Sequence, residues 1–119
     1  MDTTTVVSSL AALAQETRLT IFRSLVEAGP TGMSVSEIGA PLRAAPATLS
    51  FHLKELTHAG LIMARQDGRF IFYSANYDRM SALIGFLTDK CCVRDDPDCQ
   101  TSCAGRKPKA QSKRTKELS

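Results

Sequence analysis

A switch of hydrophobic period is the feature that most restricts how this chain can fold. As far as Gly60, the apolar residues recur at helical spacing. Beyond it lie two runs of strand formers, Leu61-Ile62-Met63-Ala64-Arg65 and Phe70-Ile71-Phe72-Tyr73-Ser74, separated by Gln66-Asp67-Gly68-Arg69. Asp-Gly between two such runs is a strong tight-hairpin signal. Helical spacing then returns over residues 78–91, with Met80, Leu83, Ile84 and Leu87 on one face.

The helical part divides at its own punctuation. Val6, Val7, Leu10, Leu13 and Ala14 mark a first amphipathic helix. A second covers residues 17–28, with Leu19, Ile21, Phe22, Leu25 and Val26 apolar, and stops at Gly29-Pro30. Ser34-Val35-Ser36-Glu37 has the form of a capping box and opens a short helix carrying Val35 and Ile38, which ends near Pro41. Pro46 suits the first position of a fourth helix, which Gly60 closes. A short helix, a tight turn, a second helix and then a hairpin describe a winged helix–turn–helix, a mostly α fold with one β-hairpin.

The 119 residues suffice for one compact domain with one core, and no apolar run approaches the ~20 residues of a membrane span. The start Met1-Asp2-Thr3-Thr4-Thr5 lacks the basic and apolar pattern of a secretory signal, so a cytoplasmic protein with no membrane partner is expected. The net charge of +3 is uneven. Residues 104–119 hold six Lys/Arg and one Glu, whereas residues 1–103 hold nine Lys/Arg and eleven Asp/Glu. Any nucleic-acid surface on the body is therefore a local patch. The tail is too poor in apolar residues to fold alone and reads as a solvated end or an electrostatic aid to DNA binding.

At 100° per residue, Leu49, Leu53 and Leu56 share the core side of the fourth helix, and Ala47, Ser50, Phe51 and Lys54 point the other way. Ala47, Thr48 and Ser50 suit the first turn of a helix that approaches base edges in the major groove. Phe51 either meets a thymine methyl or packs against the hairpin. Arg65 and Arg69 bracket the hairpin tip and suit phosphate or minor-groove contact. His52 flanks the core face, where a hydrogen-bonded packing role fits better than ligation, and His58 sits at the helix end as a solvated residue or helix-end cation.

Three segments carry a family resemblance. Leu13-Ala14-Gln15-Glu16-Thr17-Arg18-Leu19-Thr20-Ile21-Phe22 resembles the "LADPTRLxIL" segment of the arsenical-resistance (ArsR) family of bacterial winged-helix repressors. Ala47-Thr48-Leu49-Ser50-Phe51-His52-Leu53-Lys54-Glu55-Leu56 resembles its "SxHLxxL" recognition helix, and Ala59-Gly60-Leu61-Ile62 with Asp67-Gly68-Arg69-Phe70-Ile71-Phe72-Tyr73 resembles its hairpin. The likeness covers roughly residues 6–90 and is specific in combination. It implies a homodimer joined through the first and last helices, a palindromic double-stranded operator, and release when an inducer binds. The family often has a polar residue where Pro46 and Ala47 stand and Arg where Phe51 stands, so the departure falls on the base-reading positions.

All four cysteines, Cys91, Cys92, Cys99 and Cys103, fall in one short segment. Among the inducer sites of the family, a Cys-x-Cys in the third helix is missing, and an Asp/His zinc site lacks its histidine because none follows His58. A third type, with an adjacent Cys pair at the end of the last helix and a further Cys beyond, resembles Cys91, Cys92 and Cys99, with Cys103 as an additional candidate. Trivalent arsenic and antimony favour three thiolates in a pyramid. Zinc prefers four ligands, usually from Cys-x₂₋₄-Cys pairs. The expectation is an arsenite- or antimonite-responsive repressor that uses As(III) or Sb(III) as inducer and no organic cofactor. A zinc-, cadmium- or lead-responsive repressor and a thiol-redox sensor on the same fold remain the alternatives. A thiol enzyme is disfavoured, because only Lys90 lies near the thiols as an acid or base. The expected organisation is a DNA-binding and dimerisation domain over 1–92, a cysteine-bearing inducer loop over 93–103 and a basic flexible tail over 104–119.

Overall fold

The computed structural model describes residues 1–94. Its elements run α1 (Thr3–Leu13), α2 (Glu16–Ala28), β1 (Met33–Ser34), α3 (Val35–Gly39), a single 3₁₀ turn (Ala40–Leu42), α4 (Pro46–His58), β2 (Ile62–Asp67), β3 (Phe70–Ala75) and α5 (Tyr77–Thr88). The chain divides into two compact units, Met1–Leu83 and a second that begins at Ile84. Among the described residues, no helix is long and apolar enough to cross a membrane.

The helix boundaries have local causes. The Asp2 carboxylate accepts from the Thr5 backbone N–H, which starts α1, and hydrogen bonding with the Thr5 side chain and then its backbone holds that carboxyl below its ordinary range. Gln15 accepts from the Arg18 N–H and starts α2, which ends where Gly29 adopts a positive φ. Both halves of the capping box at α3 form: Ser34 Oγ accepts from the Glu37 N–H, and Glu37 Oε1 accepts from the Ser34 N–H at 2.8 Å. Replacing Ser34 with Ala is expected to cost about 1 kcal/mol, read as a lower urea midpoint at unchanged slope. Pro46 stands at the first turn of α4, as its fixed φ and missing N–H favour.

The core of the first unit gathers one face from each element. Ile21, Phe22 and Leu25 of α2 meet Ile38 of α3 and Leu49, Leu53 and Leu56 of α4, closed by Leu61, Ile62 and Ala75. The start of α5 is tied to this body by hydrogen bonds. Tyr77 Oη donates to the carbonyls of Leu25 and Val26, Asn76 Nδ2 donates to the Gly60 carbonyl at 2.9 Å, and an Arg79 guanidinium N–H donates to the Ala59 carbonyl at 3.0 Å. Among the described residues, Ser9 Oγ, fully buried on α1, finds no hydrogen-bond partner.

The sheet is antiparallel in the order β1-β3-β2. Its hairpin is longer than the sequence pattern indicates. The two strands pair from Ile62↔Ala75 out to Asp67↔Phe70, leaving Gly68 and Arg69 as a two-residue loop. Gly68 alone supplies the positive φ (63°) there, so Asp67 stays in the strand and the pairing extends. β1 was not foreseen. It has two residues, paired with Tyr73 and Phe72, and so short a segment shows no period. Helix α5 starts one residue earlier and stops three residues sooner than the apolar pattern indicates, because the chain after Thr88 enters turns with positive φ at Lys90 and Cys92.

Candidate nucleic-acid interface

Helices α3 and α4 form the helix–turn–helix, with Arg43 in the left-handed region (φ 53°) at the turn between them. Leu49, Leu53 and Leu56 anchor one side of α4 in the core. The opposite side presents Ala47, Thr48, Ser50, Phe51 and Lys54, all exposed. The four residues that the helical period sets opposite the leucines, Ala47, Ser50, Phe51 and Lys54, are therefore all in solvent, with Thr48 exposed beside them in the first turn. Small side chains there let a backbone approach base edges closely, and the hydroxyls of Thr48 and Ser50 hydrogen-bond to either donors or acceptors.

Phe51 stays 53% exposed. Its ring stands edge-on to His52, with centroids 5.6 Å apart and planes at 60°. His52 is buried, and Arg18 places a guanidinium nitrogen 3.4 Å from its Nδ1. Arg18 also donates from Nε to the Ala12 carbonyl at 2.7 Å. The ring behind Phe51 is thus fixed to the junction of α1 and α2. The sequence pattern puts His52 beside the core, but Arg18, thirty-four residues away, carries no local signal of the contact.

The two wing arginines differ. Arg69 lies in the exposed hairpin loop, as expected of a phosphate-reaching residue. Arg65 is opposite Phe72 in the register, holds its guanidinium 5.3 Å from the Phe72 ring centroid and donates to the Thr31 carbonyl at 3.2 Å. It is exposed but already engaged on the sheet, and it is not at the tip.

In the second unit, Thr88 Oγ1 donates to the Ile84 carbonyl, and the Cys91 N–H donates to the Thr88 carbonyl at 3.0 Å. The Sγ atoms of Cys91 and Cys92 lie 3.5 Å apart, Cys91 half-buried and Cys92 exposed. Bonds of about 2.3 Å to a thiophilic centre allow two sulfurs on one atom to be up to about 4.6 Å apart, so this pair is close enough to share one. Cys99 and Cys103 lie outside the described residues. Among the described residues, no group of three or more His, Cys, Asp or Glu side chains is placed to hold a metal ion.

Comparison with known proteins agrees with the winged helix–turn–helix architecture. Residues 13–65 match the family model of a helix-turn-helix domain. The uncharacterized HTH-type transcriptional regulator YceK of Bacillus subtilis is 36% identical over 77 residues, covering 64% of this chain and 76% of that protein. The structure of an ArsR-like transcriptional regulator from Rhodococcus superposes with a TM-score of 0.62 at 28% identity, covering 71% of this chain and 76% of the other. The homodimeric winged helix-turn-helix DNA-binding domain of Mb0332 from Mycobacterium bovis superposes with a TM-score of 0.58 at 28% identity, covering 76% and 83%. These relatives are regulators of transcription rather than enzymes. With its winged helix–turn–helix and its likeness to them, the chain belongs to the ArsR family of winged-helix transcriptional regulators.

Proposed function

We propose that this regulator is a repressor that binds operator DNA as a homodimer in the cytoplasm and is released when trivalent arsenic or antimony binds its cysteines. The observation that carries the reading is the Cys91–Cys92 pair, with sulfurs 3.5 Å apart just past the end of α5. Two adjacent thiolates can share one thiophilic centre, and Cys99 is the candidate for the third, with Cys103 as a further one. The three-thiolate set suits a pyramidal ion with a lone pair better than a tetrahedral one. Compartments that keep thiols reduced keep such a site available.

A second copy is supported by the apolar residues that α1 and α5 leave in water. Val7 and Leu10 on α1, and Ile84 and Leu87 on α5, are exposed. Burying such residues against a partner is favourable at about 25 cal/mol per Å². Dimer symmetry would set two α4 helices about 34 Å apart along a palindromic duplex. Lys54 and Arg69 would supply phosphate contacts, so binding should weaken with salt.

The test is fluorescence anisotropy of the reduced protein on a duplex selected from a random pool, titrated with arsenite and separately with zinc or with an oxidant. Release by arsenite at micromolar levels, with zinc and oxidant inert, is the expected result. Release by zinc alone would move the site to four-coordinate ligation. Release by the oxidant alone would make the thiols a redox switch.

A further inference from the structure

We propose that α4 reads its operator chiefly through thymine methyl groups, with Phe51 as the principal contact; this rests on the DNA-binding reading above. Three observations lead there. First, α4 contains no Arg, Asn or Gln, and of the side chains that pair bidentately with guanine or adenine edges it carries only Lys54, in its third turn. Its exposed face offers two hydroxyls, one lysine, and the apolar groups of Ala47 and Phe51.

Second, Phe51 keeps half of a large aromatic surface in water on the face where a recognition helix meets bases. The structure holds this ring rather than leaving it loose. His52 backs it edge-on at 5.6 Å, and His52 is itself fixed beside Arg18. Such aromatic pairs prefer the edge-to-face geometry seen here. A ring held in place loses little freedom on meeting DNA.

Third, the C5-methyl of thymine is the apolar group on the major-groove edges of the four bases. An exposed phenyl ring flanked by small residues finds its complement there. Ala47 and Thr48 present a methyl each and allow close approach. Ser50 and Lys54 supply polar contacts that set register.

The test uses the full-length reduced protein and a duplex selected from a random pool. Each thymine of the bound half-site is replaced in turn by deoxyuridine, which removes only the methyl, and affinity is measured by anisotropy at fixed salt. At one or two positions per half-site, deoxyuridine should weaken binding about fourfold, the effect of leaving one methyl-sized group uncovered. Phe51→Ala should bind the thymine duplex as weakly as the native protein binds the uracil one, and lose the distinction between them. Because Phe51 lies outside the core, its thermal melting should match that of the native protein. Equal affinity of the native protein for thymine and uracil duplexes would overturn the inference while leaving DNA binding intact. A thymine preference retained in Phe51→Ala would overturn the role given to Phe51. Failure to select any duplex would overturn both this inference and the reading beneath it.

Discussion

Replacing Cys91 or Cys92 with serine is expected to leave operator affinity unchanged and to abolish release by arsenite. A serine hydroxyl is a hard, protonated donor at neutral pH and a poor substitute for a thiolate toward a soft ion. Both positions lie in the second unit, after the end of α5, and neither belongs to α4 or the wing. The loss should therefore fall on induction alone. Couplings between ligand and DNA sites typically change affinity about 5- to 150-fold, and in each variant that ratio should collapse to about 1. Linkage requires the reciprocal effect: operator DNA should weaken arsenite binding to the native protein by the same factor and leave the variants unaffected. Isothermal titration of arsenite, with and without duplex, checks both. An arsenite response retained in either variant removes that residue from the ligand set.

Gly32→Ala is expected to be the most damaging single-methyl change in the first unit. Gly32 adopts a φ of +81°, and its N–H donates to the Gly29 carbonyl at 3.1 Å as the chain turns into β1. A Cβ there would run into the Tyr73 carbonyl oxygen and lie 2.9 Å from the Tyr73 carbonyl carbon. Tyr73 is the residue that Met33 pairs with, so relief of the clash must pull β1 off β3. The left-handed conformation alone costs an L-residue about 1–2 kcal/mol. Adding the clash with backbone brings the total to roughly 3 kcal/mol, or more than 10 °C in melting temperature for a domain of this size. Gly68→Ala is the matching control. Its φ is also positive, at 63°, but nothing beyond its own chain neighbours lies within 4 Å of the added Cβ. It should cost about 1–2 kcal/mol. Equal losses from the two variants would show that the Tyr73 contact yields freely.

Most of the fold was legible in the sequence because its boundaries are local chemistry. Ser34 and Glu37 satisfy each other's backbone partners within four residues, Gly29 and Gly60 end helices through their own φ, and Leu49, Leu53 and Leu56 mark the core side of α4 by spacing alone. What escaped was set by distant partners. β1 exists because Met33 and Ser34 find Tyr73 and Phe72 some forty residues on. The extended wing depends on pairing across the hairpin that lets Asp67 remain a strand residue. In the candidate site, the periodicity located the exposed face of α4, but not the Arg18–His52 contact behind it. Arg65 and Arg69 looked equivalent by composition until Phe72 and Thr31 distinguished them. The adjacency of Cys91 and Cys92 was plain in the sequence, and the structure adds the 3.5 Å between their sulfurs.

Along α4, the leucines that hold the helix and the residues that face outward are different sets. Substitutions at exposed positions away from special features usually change stability by no more than about 0.5 kcal/mol. Ala47, Ser50, Phe51 and Lys54 can therefore be exchanged over evolutionary time with little penalty in folding. A duplicated copy of this regulator has a short mutational route to a new set of target promoters, while the scaffold beneath stays as it is.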